Sequence, residues 1–385
     1  MLSPPSKRGS DACRRINWRI ALKFLFWTDG FWPRIGGIET QARYFIERMH
    51  QKGHLGLVVA QQDDPSWKED ELYKGVPIKR FDFNRIFPTQ ELYRLRPIET
   101  YLEWVRQEFQ PDILYLNVCT GWVGFIFLLF KRIFRIPVII TVHSPFFYMN
   151  ETNPILAKIS SQADLICCVS KWVLNETEKL IPTASNKLRL IYNGLPIPDL
   201  AATPLCFSSP TLLVIGRLTR EKGFEIAIQA FALLKNSAAR LLIVGNGEER
   251  SRLEQWVDQL GLESSVEFIG ALEKSEVPSL INRATLVIVP SYFESFGLVA
   301  VEAMQMQRPV IASNVGGLAE IIIHKETGLL VPPRDPLALS LAIRFLLENP
   351  ETAIEMGIKG HKRAVKSFTL EQNVQQYEAL HRELR

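Results

Sequence analysis

Two glutamates eight residues apart, in the run Pro290-Ser291-Tyr292-Phe293-Glu294-Ser295-Phe296-Gly297-Leu298 that continues to Glu302, form the densest chemical signal in this sequence. The pattern predicts a strand ending near Pro290, a short loop carrying Glu294 and a helix starting near Leu298. The amides of Phe296, Gly297 and Leu298 are then helix-end donors with partial positive charge, suited to phosphate or sugar oxygens. Gly297 allows a ligand to approach the backbone closely. Glu302, one turn below Leu298, is placed to accept two hydrogen bonds from a vicinal diol. The two acids equally suit a capping residue and a solvated helix residue.

Other segments carry complementary chemistry. In Ile215-Gly216-Arg217-Leu218-Thr219-Arg220-Glu221-Lys222-Gly223 the cations Arg217 and Lys222, five apart across a loop, match the two charges of a diphosphate. A solvated turn reads the same way, and the order of a P-loop is absent. Gly36 and Gly37, followed by Glu39, permit close contact with an anion where a strand passes into a helix. His143 falls at a strand end, aimed at a cleft or held as a structural histidine. Gly245 and Gly247 resemble the start of a dinucleotide fingerprint, but Arg250 stands where its third glycine belongs, so they hold a ribose or base edge or turn the chain. Asn193-Gly194 is a further turn, and Gly316-Gly317 is another that could face the cleft. No Asp-x-Asp pair and no His/Cys cluster occurs, so no metal site is expected.

These loops need rigid elements behind them. Short apolar runs alternate with amphipathic stretches, the pattern of parallel sheets covered by helices, an α/β class. Strands are expected at 20–27, 55–60, 113–116, 138–142, 165–169 and 188–191. Helices are expected at 38–51, 98–109, 122–134 and 171–180, the last capped by Ser170. Four prolines (Pro196, Pro198, Pro204, Pro210) then mark a linker. Beyond it, strands are expected at 211–215, 241–244, 266–268, 286–289, 309–312 and 329–331, with helices at 336–347 and 369–385. The expected division is a basic tail (1–17), a first domain (18–200), a linker (201–210), a second domain (211–365) and a terminal helix (366–385). Ligands of open α/β sheets sit at the carboxyl ends of the strands, so both halves should aim loops into one cleft.

Composition narrows the function classes. At 385 residues and 47% hydrophobic, the chain has material for two full cores. The net charge is +4, yet residues 1–23 hold six Lys/Arg against one Asp, a balance of +5, so the other 362 sum to −1. No general basic field attracts nucleic acid. Five cysteines without a CxxC pair indicate a reducing, cytoplasmic setting. Arg19 and Lys23 interrupt any secretory apolar core, and the most apolar run, 121–130, is too short to span a bilayer. The segment 122–135 ends in Lys131, Arg132 and Arg135 and suits either a helix lying peripherally on the inner face of an anionic membrane or a buried crossover helix.

Taken together, Gly36-Gly37-x-Glu39, His143, Asn193-Gly194, Arg217…Lys222-Gly223, Gly245-x-Gly247 and Glu294…Glu302 resemble retaining glycosyltransferase family 4, in that family's order and over nearly the whole chain. The resemblance implies a GT-B fold: two Rossmann-like domains face one another, and the last helix crosses back to the first. It implies that Arg217 and Lys222 stabilise a departing diphosphate, helped by the amides around Gly297 and Gly37. Glu302 would bind the donor ribose, Glu294 the donor sugar, and His143 the face where an acceptor arrives. Gly216, Asn193, Gly245 and Gly247 would border the donor, a UDP- or GDP-sugar co-substrate, with no cofactor and no metal. The acceptor would be a glycan or a lipid-linked intermediate. A non-catalytic relative that binds a partner is the alternative. Leu195-Pro196 and Ser144 depart from the family's pattern at the loops that follow Asn193-Gly194 and His143.

Overall fold

The computed structural model describes residues 21–86, 91–118, 121–145, 155–234 and 238–384. The basic tail, the first residue of the expected 20–27 strand, Cys13 and Cys119 lie outside them.

Two parallel sheets form the frame. The first contains β1 (Lys23–Thr28), β2 (Leu55–Gln61), β3 (Asp70–Tyr73), β4 (Val76–Phe81), β5 (Ile113–Val118), β6 (Val138–Val142), β7 (Leu165–Cys168) and β8 (Leu188–Leu190). Their order is β3-β4-β2-β1-β5-β6-β7-β8, and only β3 runs antiparallel to its neighbour. The second contains β9 (Thr211–Ile215), β10 (Arg240–Val244), β11 (Val266–Gly270), β12 (Leu286–Val289), β13 (Val310–Ser313) and β14 (Gly328–Val331), ordered β11-β10-β9-β12-β13-β14.

The strands read as unbroken apolar runs because both sheet faces are covered. In β1, Phe24 and Phe26 face the helices Gly37–Gln51 and Leu370–Glu383, packing with Phe45, Met49 and Tyr377. Leu25 and Trp27 face the opposite way, towards Phe83, Leu102 and Phe127. That second layer includes the helix Gly121–Phe130, whose Val123, Ile126, Phe127 and Phe130 are buried while Leu129 reaches the surface. It serves as a crossover helix over the sheet. No helix among the described residues is long and apolar enough to cross a membrane.

The sequence expectation omitted the hairpin β3–β4 and the helix Pro350–Ser367. The hairpin is short and polar on its outer edge. In the helix, Gly357 and Gly360 look like breakers, but a Cβ on Gly357 would lie 2.2 Å from Gln307 O, and Gly360 packs closely against Thr327 O and the Met304 side chain. The proline-rich linker is not loose. Thr203 donates through N and Oγ1 to Asn282, and the buried Arg308 guanidinium reaches Thr203 O, so the segment is fastened to the second domain.

The terminal helix returns to the first domain. Thr369 caps it in a reciprocal box with Gln372, and Leu195 bridges to Thr369 where the domains meet. Arg48 and Lys52 pair with Glu371, Lys52 and His54 with Glu378, and Tyr377 Oη lies 2.9 Å from Thr141 Oγ1. One apolar cluster runs through both domains by way of Val169, Leu195, Phe296 and Phe368.

Candidate functional site

The carboxyl ends of both sheets meet at a cavity of about 290 Å3. From the first domain come Gly36 and Gly37 (after β1), His143 and Ser144 (after β6) and Asn193 (after β8). From the second come Gly216, Arg217 and Lys222 (after β9) and Glu294 to Leu298 (after β12).

Two helix amino ends converge here. Gly37 opens the helix Gly37–Gln51, and Gly297, at φ +115°, caps the helix Leu298–Gln305. A Cβ on Gly37 would lie 3.4 Å from Leu298 Cδ1, so the two ends nearly touch across the cleft. Each end presents unpaired amides and partial positive charge. Side-chain cations add to this. Arg217 is exposed at the wall, with no ion-pair partner among the described residues. Lys222 Nζ lies 2.7 Å from Glu294 Oε2, both side chains being only partly exposed. The arrangement is an anion receptor with one carboxylate set among its cations.

His143 is buried and neutral. Its Nε2 lies 2.5 Å from Asn117 Oδ1, Asn117 Nδ2 donates to Thr28 Oγ1 at 3.1 Å, and Thr28 donates to Gly30 O at 3.1 Å. Because the last acceptor is a carbonyl, each donor role is fixed back along the chain, and the proton sits on Nε2. Nδ1 keeps its lone pair. Burial drives the histidine pKa down to about 4.

Several expected site residues occupy other positions. Gly245 and Gly247 do not line this cavity. They back the Arg217 loop, where a Cβ would come within 1.8 Å of Gly216 O and 2.4 Å of Leu218 O respectively. Gly316 and Gly317 likewise sit behind Glu294 and Phe296 rather than facing the cleft. Their role is to let loops pack backbone to backbone. Glu302 lines an adjoining cavity of about 340 Å3, together with Arg43, Tyr44 and Glu47 of the first domain. Its carboxylate is paired with Lys274. Sequence reasoning missed Asn117, Lys274 and Tyr44. Asn117 carried a weak signal, a polar residue at the carboxyl end of an apolar strand, and the other two carried none. Among the described residues no group of three His, Cys, Asp or Glu side chains is placed to hold a metal ion.

Comparisons with known proteins follow the same division. Residues 207–363 match the family described as glycosyl transferases group 1, and residues 35–197 match glycosyltransferase family 4. An uncharacterized glycosyltransferase of Methanocaldococcus jannaschii is 30% identical over 364 residues, covering 92% of this chain and 96% of its own. The chain belongs to glycosyltransferase family 4. Sucrose-phosphate synthase from Thermosynechococcus elongatus superposes on this glycosyltransferase with a TM-score of 0.81 at 26% identity, over 94% of this chain and 99% of its own. HepE of Anabaena, in complex with UDP and glucose, has a TM-score of 0.79 at 22% identity, over 94% and 100%. The two facing α/β domains are therefore those of the GT-B fold, and the cavity lies where that fold joins its halves.

Proposed function

We propose that this glycosyltransferase moves a hexose-type sugar from a UDP- or GDP-sugar to a hydroxyl of a glycan or lipid-linked acceptor, without a metal ion and with retention at the anomeric carbon. The observation that carries the reading is the convergence of two helix amino ends, Arg217 and Lys222 on one cavity. Such a site stabilises a diphosphate most strongly when it departs, because the negative charge grows as the bond breaks. The binding of UDP and glucose by HepE, named above, is consistent with such a donor.

In this reading the bond between sugar C1 and the diphosphate oxygen breaks, and its electron pair goes to the diphosphate. The acceptor oxygen bonds to C1 from the same face, and its proton passes to an oxygen of the departing phosphate. His143 Nδ1 accepts from a sugar hydroxyl, and Glu294 does the same from the other domain. The nucleoside extends along the helices Gly37–Gln51 and Leu298–Gln305 into the adjoining cavity, where Glu302 exchanges Lys274 for the ribose hydroxyls. A non-catalytic binding role is less consistent with Arg217, Lys222 and Glu294 gathered at one cavity.

The test is a thermal-shift screen against UDP- and GDP-sugars with and without EDTA. A ligand at a hundredfold excess over its Kd stabilises the fold by about 2.7 kcal/mol. One nucleotide series should raise Tm, and Glu302→Ala should abolish the rise. No shift with any donor, or a shift that EDTA removes, overturns the reading.

A further inference from the structure

A second concavity opens on the same edge of the first sheet. It measures about 910 Å3 and is bounded by residues just past β2 and β4, Gln62 and Asp82, and by the helix Leu95–Trp104. Aromatic rings reach the surface on its lining: Trp104 is 48% exposed and Tyr93 70%. Tyr101 stacks on Trp104 with ring centroids 5.6 Å apart and an interplanar angle of 29°. Rings held rigid at a surface, rimmed by polar side chains, mark a binding site rather than core.

Apart from Arg96 and Asp82, the charges around the groove are largely compensated among themselves. Lys79 pairs with Glu69 and Asp70, Arg80 with Glu71, and Arg94 with Glu91. A polyanion would find little free positive charge here. A neutral polyhydroxylated chain fits better: the C–H faces of its rings stack on aromatic faces, whose π-surface is negative, while Arg96 and Asp82 offer a donor fork and an acceptor pair to its hydroxyls. We propose that this groove holds the glycan portion of the acceptor, back along the chain from the hydroxyl that reacts.

The topology sets that distance. β4 lies two strands, about 10 Å, from β1, and the loop after β1 carries Gly36 and Gly37. The buried Arg80 guanidinium ties the two places together, donating to Trp32 O at 2.7 Å. The inference rests on the glycosyl-transfer reading above, since a groove of this kind serves an acceptor only if the cavity serves a donor.

The full chain is titrated with neutral oligosaccharides of increasing length, and nucleotide-induced thermal shift is measured in parallel. Trp104→Ala and Tyr93→Ala remove rings that lie at the surface. The expected result is that wild type binds a longer oligosaccharide, that each variant weakens it about tenfold, roughly 1.4 kcal/mol, that Trp104→Phe restores part of the loss, and that mono- and disaccharides are unaffected. The nucleotide shift stays at its wild-type size. Equal oligosaccharide affinity in wild type and both variants, or no oligosaccharide bound by wild type while the nucleotide shift is intact, overturns the groove. A missing nucleotide shift in wild type overturns the donor reading instead, and oligosaccharide binding still reports on the groove.

Discussion

Replacing Lys222 with alanine separates a catalytic cation from a structural one. Its ammonium sits 2.7 Å from Glu294 in the cleft wall, and the side chains are 26% and 18% exposed. A partly solvated pair of this kind contributes about 0–1 kcal/mol to folding, so Tm should hardly move. Catalysis depends on a different quantity. When the sugar leaves, the diphosphate gains about one unit of negative charge, while the charge on Glu294 is the same before and after. One cation about 4 Å from one added charge, at an effective dielectric constant near 20, is worth about 4 kcal/mol. Loss of a single preorganised donor costs roughly 10²–10³ in kcat, which agrees with that figure. Donor Kd should weaken less, by roughly tenfold, because binding already costs Lys222 part of its pairing with Glu294. The assay is release of nucleoside diphosphate at saturating donor, with Kd taken from thermal shift. A kcat within about threefold of wild type, a change of under 1 kcal/mol, would refute the assignment.

Two further predictions concern His143 and Gly223. The folded pKa of His143, about 4, lies below the ordinary 6.5, so below pH 6.5 the unfolded chain binds a proton that the folded chain refuses. Stability should therefore fall as pH drops from about 6.5 to 4, by up to about 3 kcal/mol from this residue. Chemical denaturation across that range should show His143→Asn to be the less acid-sensitive protein; parallel curves would sink the buried neutral state. Gly223 adopts φ +65°, and a Cβ there would lie 2.2 Å from Pro290 O. Gly223→Ala should destabilise by about 2 kcal/mol or more, and a urea midpoint indistinguishable from wild type would contradict the packing of the Lys222 loop against Pro290, at the start of the Glu294 loop.

Much of the frame was legible because parallel strands covered on both faces are unbroken apolar runs. Thr211–Ile215 and Leu286–Val289 match their expected bounds, and Val138–Val142 does as well. The Ser170 cap was legible for a local reason, and its hydroxyl accepts from Val173 N. Elements whose logic is tertiary escaped. The helix Pro350–Ser367 tolerates Gly357 because the glycine faces Gln307 O, a neighbour 50 positions away. In the hairpin β3–β4 burial alternates, but one buried position of β4 is Arg80, so the apolar alternation of the sequence is broken there.

The site divides along the same line. A loop at a strand end can be read from its own residues, and so Arg217, Lys222, Glu294 and His143 were found and do face one cavity. What those residues are bonded to cannot be read locally, because each partner arrives from another element. Asn117 reaches His143 from β5, and Lys274 reaches Glu302 from the loop after β11. The same holds for glycines. Gly36 and Gly245 both follow a strand, and both look like ligand-approach positions. Gly36 borders the cavity, where a Cβ would press to 2.1 Å from the carboxylate of Glu39. Gly245 gives its missing side chain to Gly216 O instead. A glycine reports that something comes close, and only the fold says whether that neighbour is a ligand or another stretch of chain. The carboxylates follow a similar rule, since Glu294 and Glu302 are each held by a lysine, Lys222 and Lys274. A donor that brings phosphates to Lys222 and hydroxyls to Glu302 must displace or share both pairs. Donor binding would then rearrange two ion pairs of the second domain at once.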